Sequence, residues 1–295
     1  MKIAIYGHYF NEDAQRYVED LLNALYAKNS TIFIEKEFLE LINSNVNNSY
    51  DYQTFTNHTE LDSSFDLFFT LGGDGTILRS ITYIRDSNIP VVGINIGRLG
   101  FLATIKKEEI AEAIEALCAN DFTIKERSLL AVKTLPENDS ILELSYALNE
   151  VTLSRKDTAS MITIETYLDD EYLTSYWADG LIISTPTGST GYSLSCGGPV
   201  ITPQAKSYVL TPVAPHNLNA RPLIISDNTK IRMRTIGREN EFSLSLDSRI
   251  ATVCNYTEIL IEKAPFTIKM IELKNNTFIK TLRKKLLWGE DTRNK

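Results

Sequence analysis

The segment Gly72–Thr76, which reads Gly-Gly-Asp-Gly-Thr, combines residue types that suit phosphate chemistry. The apolar run Phe65–Thr70 before it predicts a buried strand, and the apolar positions within 77–84 predict a helix after it. Glycines allow a tight turn that approaches a ligand closely, and the N-terminus of the following helix offers free N–H groups to phosphate. Asp74 adds a carboxylate to this turn, which indicates a role in handling a proton or a metal ion.

The same segment is also compatible with a plain turn capped by Asp74, because turns rich in Gly and Asp are common. Three further blocks favour function: Gly97-Arg98-Leu99-Gly100-Phe101-Leu102, the pair Asn149-Glu150, and the hydroxyl-rich run from Asp179 to Ser193. Each alone could be a turn, a hairpin pair or a polar loop. Ser and Thr hydroxyls both donate and accept, which suits ribose and phosphate oxygens.

Composition restricts the function classes. The chain has 295 residues, 43% of them hydrophobic, and a formal net charge of -8, which argues against general nucleic-acid binding. Its three widely spaced cysteines form neither a disulfide framework nor a zinc signature. The N-terminus predicts a strand rather than a signal peptide, and no apolar run reaches the roughly 18 residues of a membrane span. We therefore expect a cytoplasmic protein that binds no membrane.

Several familiar site motifs are missing from the sequence. Neither the P-loop G-x-x-x-x-G-K-[ST] nor the dinucleotide fingerprint G-x-G-x-x-G occurs, and no protein-kinase signature is present. The three histidines, His8, His58 and His216, lack the spacing of a metal site or of a Ser-His-Asp triad. The sequence therefore predicts no protein-bound metal, and it predicts that Arg283-Lys284-Lys285 forms a solvated helix face.

The order of elements predicts two domains. Strands and helices alternate over residues 1–120, which predicts an α/β domain with a mostly parallel sheet that carries the Gly-Gly-Asp-Gly turn. The polar stretch Asn43–Thr59 is expected to be a loop. Short alternating apolar runs predict a β-rich domain over 121–268, including a strand at Leu142–Leu148 and a hairpin turn at Asp169-Asp170. The segment 269–295 ends in an amphipathic pattern at Phe278, Ile279, Leu282, Leu286 and Leu287.

Taken together in chain order, these blocks resemble the NAD kinase family. Two later blocks fit as well, Pro215-His216 with Arg221-Pro222-Leu223, and the tail from Leu282 to Trp288-Gly289. The resemblance extends from about residue 66 to residue 289, and the block from Asp179 to Tyr192 is its most specific part. The Gly-Gly-Asp-Gly turn alone is weaker, because lipid kinases and phosphofructokinases resemble it there.

The resemblance implies a fold, substrates and site residues. The fold would have an α/β N-terminal domain, a β-rich dinucleotide-binding domain, and a C-terminal helix that returns to the first domain. The substrates would be NAD and ATP, with Mg²⁺ accompanying ATP, and the assembly would be a homotetramer. Asp74 would activate the ribose 2′-hydroxyl as general base. The positions that would contact substrate are Gly73, Gly75, Phe101, Asn149, Glu150, Asp179, Thr187, Thr190, Tyr192, Ser195 and Asp247.

This chain departs from the family pattern at three places. Gly191 stands where many relatives have Ala, Trp177 stands where a basic residue is frequent, and Asp247 is followed by Ser248-Arg249 where Gly is frequent. Two other function classes remain open. A lipid or sugar kinase would share only the Gly-Gly-Asp turn and would leave the block from Asp179 unexplained. A catalytically idle NAD(P)-binding sensor would have no need of Asp74.

Overall fold

In a computed structural model, the structure describes residues 1–8, 12–45, 52–97, 99–142, 145–156, 160–237, 239–274 and 276–287. Three residues of the family-like blocks, Arg98, Trp288 and Gly289, lie outside the described residues. The chain forms two compact units, which are described separately below. Unit 1 comprises Met1–Glu126 and Ile268–Lys295, and unit 2 comprises Arg127–Thr267.

Unit 1 alternates strands and helices along the chain. Its strands are β1 Lys2–Gly7, β2 Thr31–Glu35, β3 Gln53–Phe55, β4 Leu67–Leu71, β5 Val91–Asn95 and β6 Ile105–Lys106. Its helices are α1 Glu12–Ala27, α2 Lys36–Asn45, α3 Asp74–Ile84, α4 Ile110–Cys118 and α7 Phe278–Leu286. Two long strands, β7 Phe122–Leu135 and β18 Glu258–Leu273, have residues in both units.

The strands of unit 1 form a parallel sheet in the order β5-β4-β1-β2-β3. The central strands end in register to within one residue, with Gly7 opposite Leu71 and Leu71 opposite Ile94, the residue before the end of β5. The turns that follow β4 and β5 therefore lie at the same edge of the sheet, where ligands bind in open α/β folds. This arrangement confirms the predicted α/β fold class.

One core supports this sheet. Helix α1 contributes an apolar face at Val18, Leu21, Leu22 and Leu25, all fully buried. The same cluster includes Ile110, Ala113, Ile114 and Leu117 of α4, at the three- and four-residue spacing of a helix face. Burying a side chain of this size contributes about 1.5–3 kcal/mol. This core therefore fixes the positions of the strand ends and of the turns that follow them.

The expectation of a loop over Asn43–Thr59 is wrong in part, and residues 46–51 of this stretch lie outside the described residues. Helix α2 continues to Asn45, and Gln53–Phe55 forms the edge strand β3, paired with β2. Phe55 is fully buried, with its ring 6.0 Å from that of Phe68 and 5.6 Å from that of Tyr83. A single apolar side chain in a polar stretch thus fixes a short strand, because tertiary packing outweighs local composition.

Unit 2 is β-rich, as predicted. Its further strands are β8 Tyr146–Ala147, β9 Glu150–Arg155, β10 Ile162–Leu168, β11 Glu171–Ala178, β12 Gly180–Ser184, β13 Ser207–Val213, β14 Leu223–Ser226, β15 Ile231–Ile236, β16 Glu241–Leu246 and β17 Arg249–Cys254. Its short helices are α5 Asp139–Leu142 and α6 Tyr192–Ser195. An antiparallel sheet runs in the order β14-β13-β12-β9-β16-β17.

One local prediction for unit 2 is confirmed by the structure, and another is wrong in part. Asp169 and Asp170 both have positive φ, 49° and 66°, which confirms the predicted hairpin turn between β10 and β11. The predicted strand Leu142–Leu148 is wrong in part, because Leu142 belongs to helix α5 and the strand covers Tyr146–Ala147 among the described residues, with 143–144 outside them. The alternating pattern had joined the end of a helical turn to the start of a strand.

The C-terminal helix α7 belongs to unit 1, as predicted. The Thr277 side chain caps its N-terminus by accepting the Lys280 N–H, and Leu282 is buried. Ile279 and Leu287, which were expected on the apolar face, are instead 56% and 62% exposed. The buried face is therefore narrower than the pattern predicts. Among the described residues, none of the helices combines the length and hydropathy needed to cross a membrane.

Candidate functional site

Asp74 is the first residue of α3 and follows strand β4 directly after the glycine pair. Gly73 is the N-cap of this helix and has no side chain to cover the free N–H groups of the first turn. A Cβ at Gly73 or Gly75 would meet no atom within 4 Å. The start of α3 is therefore open, with an N-terminal dipole that favours an anion such as phosphate.

The Asp74 carboxylate is held by the turn that follows β5. Its Oδ2 accepts the N–H of Phe101 at 2.7 Å, and its Oδ1 accepts those of Leu102 and Ala103 at 2.9 and 3.0 Å. An ionised carboxylate offers about four acceptor positions. The three N–H groups therefore leave one position on Oδ2, so the anchored carboxylate can still accept a hydroxyl.

Gly100 explains why this turn needs a glycine. A Cβ built on Gly100 would overlap the Asp74 carboxylate. The glycine thus lets the backbone of the turn approach the carboxylate closely enough for three hydrogen bonds. The functional blocks Gly72–Thr76 and Gly97–Leu102, which the sequence presents separately, meet at Asp74, although Arg98 is not among the described residues.

Helix α7 also contacts this turn. The Lys285 Nζ donates to the carbonyl of Leu99 at 2.7 Å and lies 5.8 Å from the centre of the Phe101 ring. The Phe101 and Phe278 rings are 6.3 Å apart. Residues 283–285 are all exposed, which confirms the predicted solvated face, and the ammonium group of Lys285 in addition binds the turn. Its match to the family-like tail was the available signal.

In unit 2, Asn149 and Glu150 form the turn that leads into β9. The Asp247 carboxylate accepts three consecutive N–H groups of this turn, from Leu148 at 2.9 Å, Asn149 at 2.7 Å and Glu150 at 3.1 Å. The Asp247 side chain is only 1% exposed. The sequence suggested Asp247 as a substrate-contacting residue and gave no sign of these backbone contacts.

The side chains of the pair face a different environment. Asn149 Oδ1 and Glu150 Oε2 are buried and have no hydrogen-bond partner within the described part of the chain. A Cβ at Gly191 would lie 3.0 Å from Glu150 Oε2 and 3.3 Å from Asn149 Nδ2. Buried polar atoms nearly always have partners, so an unpartnered pair beside a glycine suits a polar ligand.

Burial shapes the electrostatics of this turn. It raises the pKa of the Glu150 carboxyl to about 8, with a further contribution from the negative charge of Asp247, while the Tyr192 N–H opposes the shift. Burial also raises the pKa of Asp247, against the lowering effect of its three N–H donors and Arg249. Glu150 therefore holds a proton over much of the neutral range, so it can donate as well as accept a hydrogen bond.

The hydroxyl-rich block follows β12 and divides into two groups. One group holds the segment itself: Thr185 Oγ1 donates to the Leu148 carbonyl at 2.6 Å, and Ser189 Oγ donates to the Pro186 carbonyl at 2.7 Å. Ser193 and Thr211 share a hydrogen bond of 2.8 Å. Much of the hydroxyl content of this block is therefore structural.

The other group contains the predicted substrate-contacting residues of the block. Thr187 is buried, Thr190 is partly buried and donates to the Thr187 carbonyl at 3.3 Å, and Tyr192 is 46% exposed. Ser195 is exposed at the end of α6. Burial raises the pKa of the Tyr192 hydroxyl first, and Cys196, Asp179 and Glu150 add to the effect. The electrostatic effects of Asp179 and Glu150 on this hydroxyl indicate that both carboxyl groups lie near Tyr192.

Asp179 is the remaining predicted position of unit 2, and Trp177 is one of the three departures from the family pattern. The Asp179 carboxylate pairs with Arg155 at 3.2 Å. The Trp177 ring lies 4.3 Å from the His216 ring, and Trp177 lines a cavity of about 370 Å³ together with Pro215 and Arg221. In the ranges that the structure describes, no group of three or more His, Cys, Asp or Glu side chains could hold a metal ion.

Comparison with known proteins decides the family. A model of the ATP-NAD kinase N-terminal domain matches residues 3–122, and a model of the ATP-NAD kinase C-terminal domain matches residues 148–273. The chain belongs to the NAD kinase family. The resemblance found in the sequence is thereby confirmed.

Relatives and solved structures agree with this assignment. The NAD kinase of Christiangramia forsetii is 59% identical over 294 residues, and that of Flavobacterium johnsoniae is 52% identical, each with 100% coverage of both chains. Yeast NADH kinase complexed with NADH has a TM-score of 0.85 at 25% identity, covering 99% of this chain and 89% of that one. The Archaeoglobus fulgidus NAD kinase in complex with ATP has a TM-score of 0.73 at 24% identity, covering 96% and 99% of the two chains, which supports the fold.

Proposed function

We propose that this chain transfers the γ-phosphoryl group of ATP to the 2′-hydroxyl of the adenosine ribose of NAD, giving NADP. The observation that carries the proposal is the anchored Asp74 carboxylate, which keeps one acceptor position on Oδ2 beside the open start of α3. Membership of the NAD kinase family indicates that the substrates at this carboxylate are NAD and ATP. A lipid or sugar kinase would not account for the match over residues 148–273.

Asp74 acts as the general base in this proposal. Its free acceptor position takes the hydrogen bond of the 2′-hydroxyl, and the carboxylate receives the proton as the oxygen attacks the γ-phosphorus. The three N–H groups of residues 101–103 fix the carboxylate, so its orientation costs little when substrate binds. Phosphoryl transfer depends mainly on positioning and on electrostatic stabilisation. The open glycines Gly73 and Gly75 leave room for phosphate oxygens at the start of α3.

Unit 2 binds the dinucleotide in this proposal. The unpartnered Asn149 Oδ1 and Glu150 Oε2 atoms hydrogen-bond the polar groups of NAD. Thr187, Thr190, Tyr192 and Ser195 add contacts from the neighbouring block, and Asp179 does so from the start of β12. Most of these groups are neutral amides, hydroxyls or a protonated carboxyl, and the charge of Asp179 is offset by Arg155, so the site adds little negative charge to a ligand that already carries two phosphates.

The accompanying ions and assembly are also proposals. Mg²⁺ enters as the complex with ATP and offsets the charge of the phosphates. The chain works in the cytoplasm as a homotetramer. Unit 2 has large apolar side chains at its surface that suit contact between copies, among them Leu218 at 88%, Ile250 at 75% and Tyr256 at 61% exposure. Light scattering coupled to gel filtration would give the mass of the assembly and so test the tetramer.

The activity itself is tested by incubating the purified chain with NAD and Mg-ATP. A dehydrogenase that accepts only NADP then reports product formation. NADP formed at a rate proportional to protein concentration supports the proposal. NAD binding by calorimetry without NADP formation would point to an idle sensor. Phosphorylation of a lipid or sugar, in place of NAD, would point to the other kinase class.

A further inference from the structure

The backbone of the Asn149-Glu150 turn is held by hydrogen bonds, while the Asn149 Oδ1 and Glu150 Oε2 atoms have no partner within the described residues. The three N–H groups of Leu148, Asn149 and Glu150 bond the Asp247 carboxylate. The Asp247 N–H donates back to the Glu150 carbonyl at 2.9 Å. Asp247 therefore closes the turn with both its side chain and its backbone.

The carbonyl side of the turn is held by the segment after β12. The Thr185 N–H donates to the Asn149 carbonyl at 2.9 Å, and the Thr185 hydroxyl donates to the Leu148 carbonyl at 2.6 Å. With the N–H groups on Asp247, every backbone polar group of residues 148–150 has a partner. Satisfying a buried backbone completely makes it rigid. The turn thus holds the Asn149 and Glu150 side chains in a fixed position.

The position of Asp247 in the fold explains how it reaches the turn. It lies in the hairpin between β16 and β17, with φ 54°, and Leu246 just before it pairs with Val151 of β9. This register places its carboxylate at the beginning of β9. Since the side chain is 1% exposed and its oxygens face the backbone, it has no surface to offer a ligand.

We propose that Asp247 is a positioning residue for the dinucleotide site, which acts by fixing Asn149 and Glu150 rather than by touching substrate. This inference rests on the proposed function, because it assigns Asn149 and Glu150 to NAD binding. An amide at position 247 would turn an NH₂ group towards at least one N–H of the turn. Two donors would then face each other, and a buried donor would lose its acceptor.

The test is Asp247→Asn in the full-length chain, with NAD affinity by calorimetry, kcat, and KM for each substrate. We expect the Kd and KM for NAD to rise about tenfold to a hundredfold, the range set by one unsatisfied buried group. The kcat at saturating NAD should stay within about threefold and the KM for ATP should not change, because the start of α3 is untouched.

The matched control is Asp227→Asn, the same change at another buried aspartate of unit 2. Asp227 is 3% exposed and pairs with Lys263, and it makes no hydrogen bond to the Asn149-Glu150 turn. This variant should lose stability while keeping the Kd for NAD. An equal rise in Kd for both variants, or an unchanged Kd in folded Asp247→Asn, would overturn the proposal.

A second variant covers the case in which Asp247→Asn does not fold. Thr185→Val keeps the shape of the side chain and removes the hydroxyl that donates to the Leu148 carbonyl and accepts the Gly188 N–H. It should raise the Kd for NAD in the same direction, and an unchanged Kd would contradict the inference. Failure of the proposed function itself is a separate result, since the wild-type chain would then form no NADP.

Discussion

Two aspartates in this chain hold a turn by the same device, and they differ in burial. Asp74 in unit 1 accepts three consecutive N–H groups from Phe101–Ala103, and Asp247 in unit 2 accepts three from Leu148–Glu150. Asp74 is partly buried, at the open first turn of a helix, whereas the Asp247 side chain is 1% exposed. The same hydrogen-bond pattern thus occurs at a partly exposed carboxylate, Asp74, and at a buried one, Asp247.

Burial decides what else such a carboxylate can do. The partly exposed Asp74 keeps an acceptor position that a hydroxyl can reach, so it can both organise its turn and take part in the reaction. The buried Asp247 can act on a ligand only through the backbone that it fixes. We therefore expect the loss of Asp74 to affect turnover, and the loss of Asp247 to affect binding.

The largest expected effect is that of Asp74→Asn. General-base assistance contributes about 10²–10⁴-fold, so kcat should fall by that factor while NAD still binds. Because the amide also disturbs the hydrogen bond to Phe101, Lys285→Met is the control. It removes the Lys285 contact to the same turn and leaves the carboxylate intact. A loss of kcat as large in Lys285→Met would assign Asp74 to turn stability alone.

The second effect concerns the pH dependence of stability. The folded chain holds the Glu150 proton up to about pH 8, whereas the unfolded chain loses it near the ordinary glutamate pKa of 4.5. Since the native state binds more protons in this window, stability falls as the pH rises through it. Each pKa unit corresponds to about 1.4 kcal/mol. From about pH 5 to about pH 8, wild-type stability should thus fall by about 2–4 kcal/mol more than that of Glu150→Gln.

Urea unfolding of the two proteins across this pH range provides the measurement. The stability of Glu150→Gln should depend less steeply on pH, because its amide does not titrate. Parallel stability curves for wild type and Glu150→Gln would show that the carboxyl group is not held protonated in the folded chain.

The third effect is on NAD affinity. Glu150→Ala removes a buried carboxyl group whose Oε2 atom has no partner in the described chain and that accepts the Tyr192 N–H, so the folded protein should lose little stability. The Kd for NAD should rise about fivefold to thirtyfold, since a hydrogen bond of this kind contributes about 1–2 kcal/mol. Glu241→Ala, at an exposed glutamate paired with Lys156, is the matched control and should leave the Kd unchanged. Unchanged affinity in Glu150→Ala would remove this residue from the site.

Much of unit 1 could be predicted from the sequence because its signals are local. The strand, the glycine pair and the helix around Asp74 are adjacent in the chain, and their apolar spacing is regular. The partners of Asp74 lie 27–29 residues away, and those of Asp247 lie 97–99 residues away. The spacing of residues along the sequence does not reveal contacts over such distances. Motif matching could therefore find both aspartates without revealing the turns that they bind.

The same limit explains the corrections to the predicted elements. Strand β3 depends on one buried ring, Phe55, which packs on Phe68 and Tyr83 from elsewhere in unit 1. Lys285 lies on the exposed helix face that its charge pattern predicts, and its ammonium group also binds the carbonyl of Leu99. In each case the contact joins residues that are distant in sequence, and local composition does not reveal it.

The smallest expected effect is that of Gly191→Ala. The added methyl group would lie 3.0 Å from Glu150 Oε2, so the carboxyl group must move by a few tenths of an ångström. We expect the Kd for NAD to rise about twofold to fivefold, which is less than about 1 kcal/mol. In a Glu150→Ala background the effect should be smaller, with only the contacts to the Gly188 carbonyl oxygen at 3.1 Å and Asn149 Nδ2 at 3.3 Å remaining, as a double-mutant cycle would detect. An equal effect in both backgrounds would mean that Gly191 acts independently of Glu150.

The most direct test of the account measures kcat and the Kd for NAD side by side in Asp74→Asn and Asp247→Asn. The account predicts opposite patterns. Asp74→Asn should lose about 10²–10⁴-fold in kcat with little change in Kd, and Asp247→Asn should lose about tenfold to a hundredfold in affinity with kcat largely retained. The same pattern in both variants, whether in kcat or in Kd, would contradict the division between a reacting carboxylate and a positioning one.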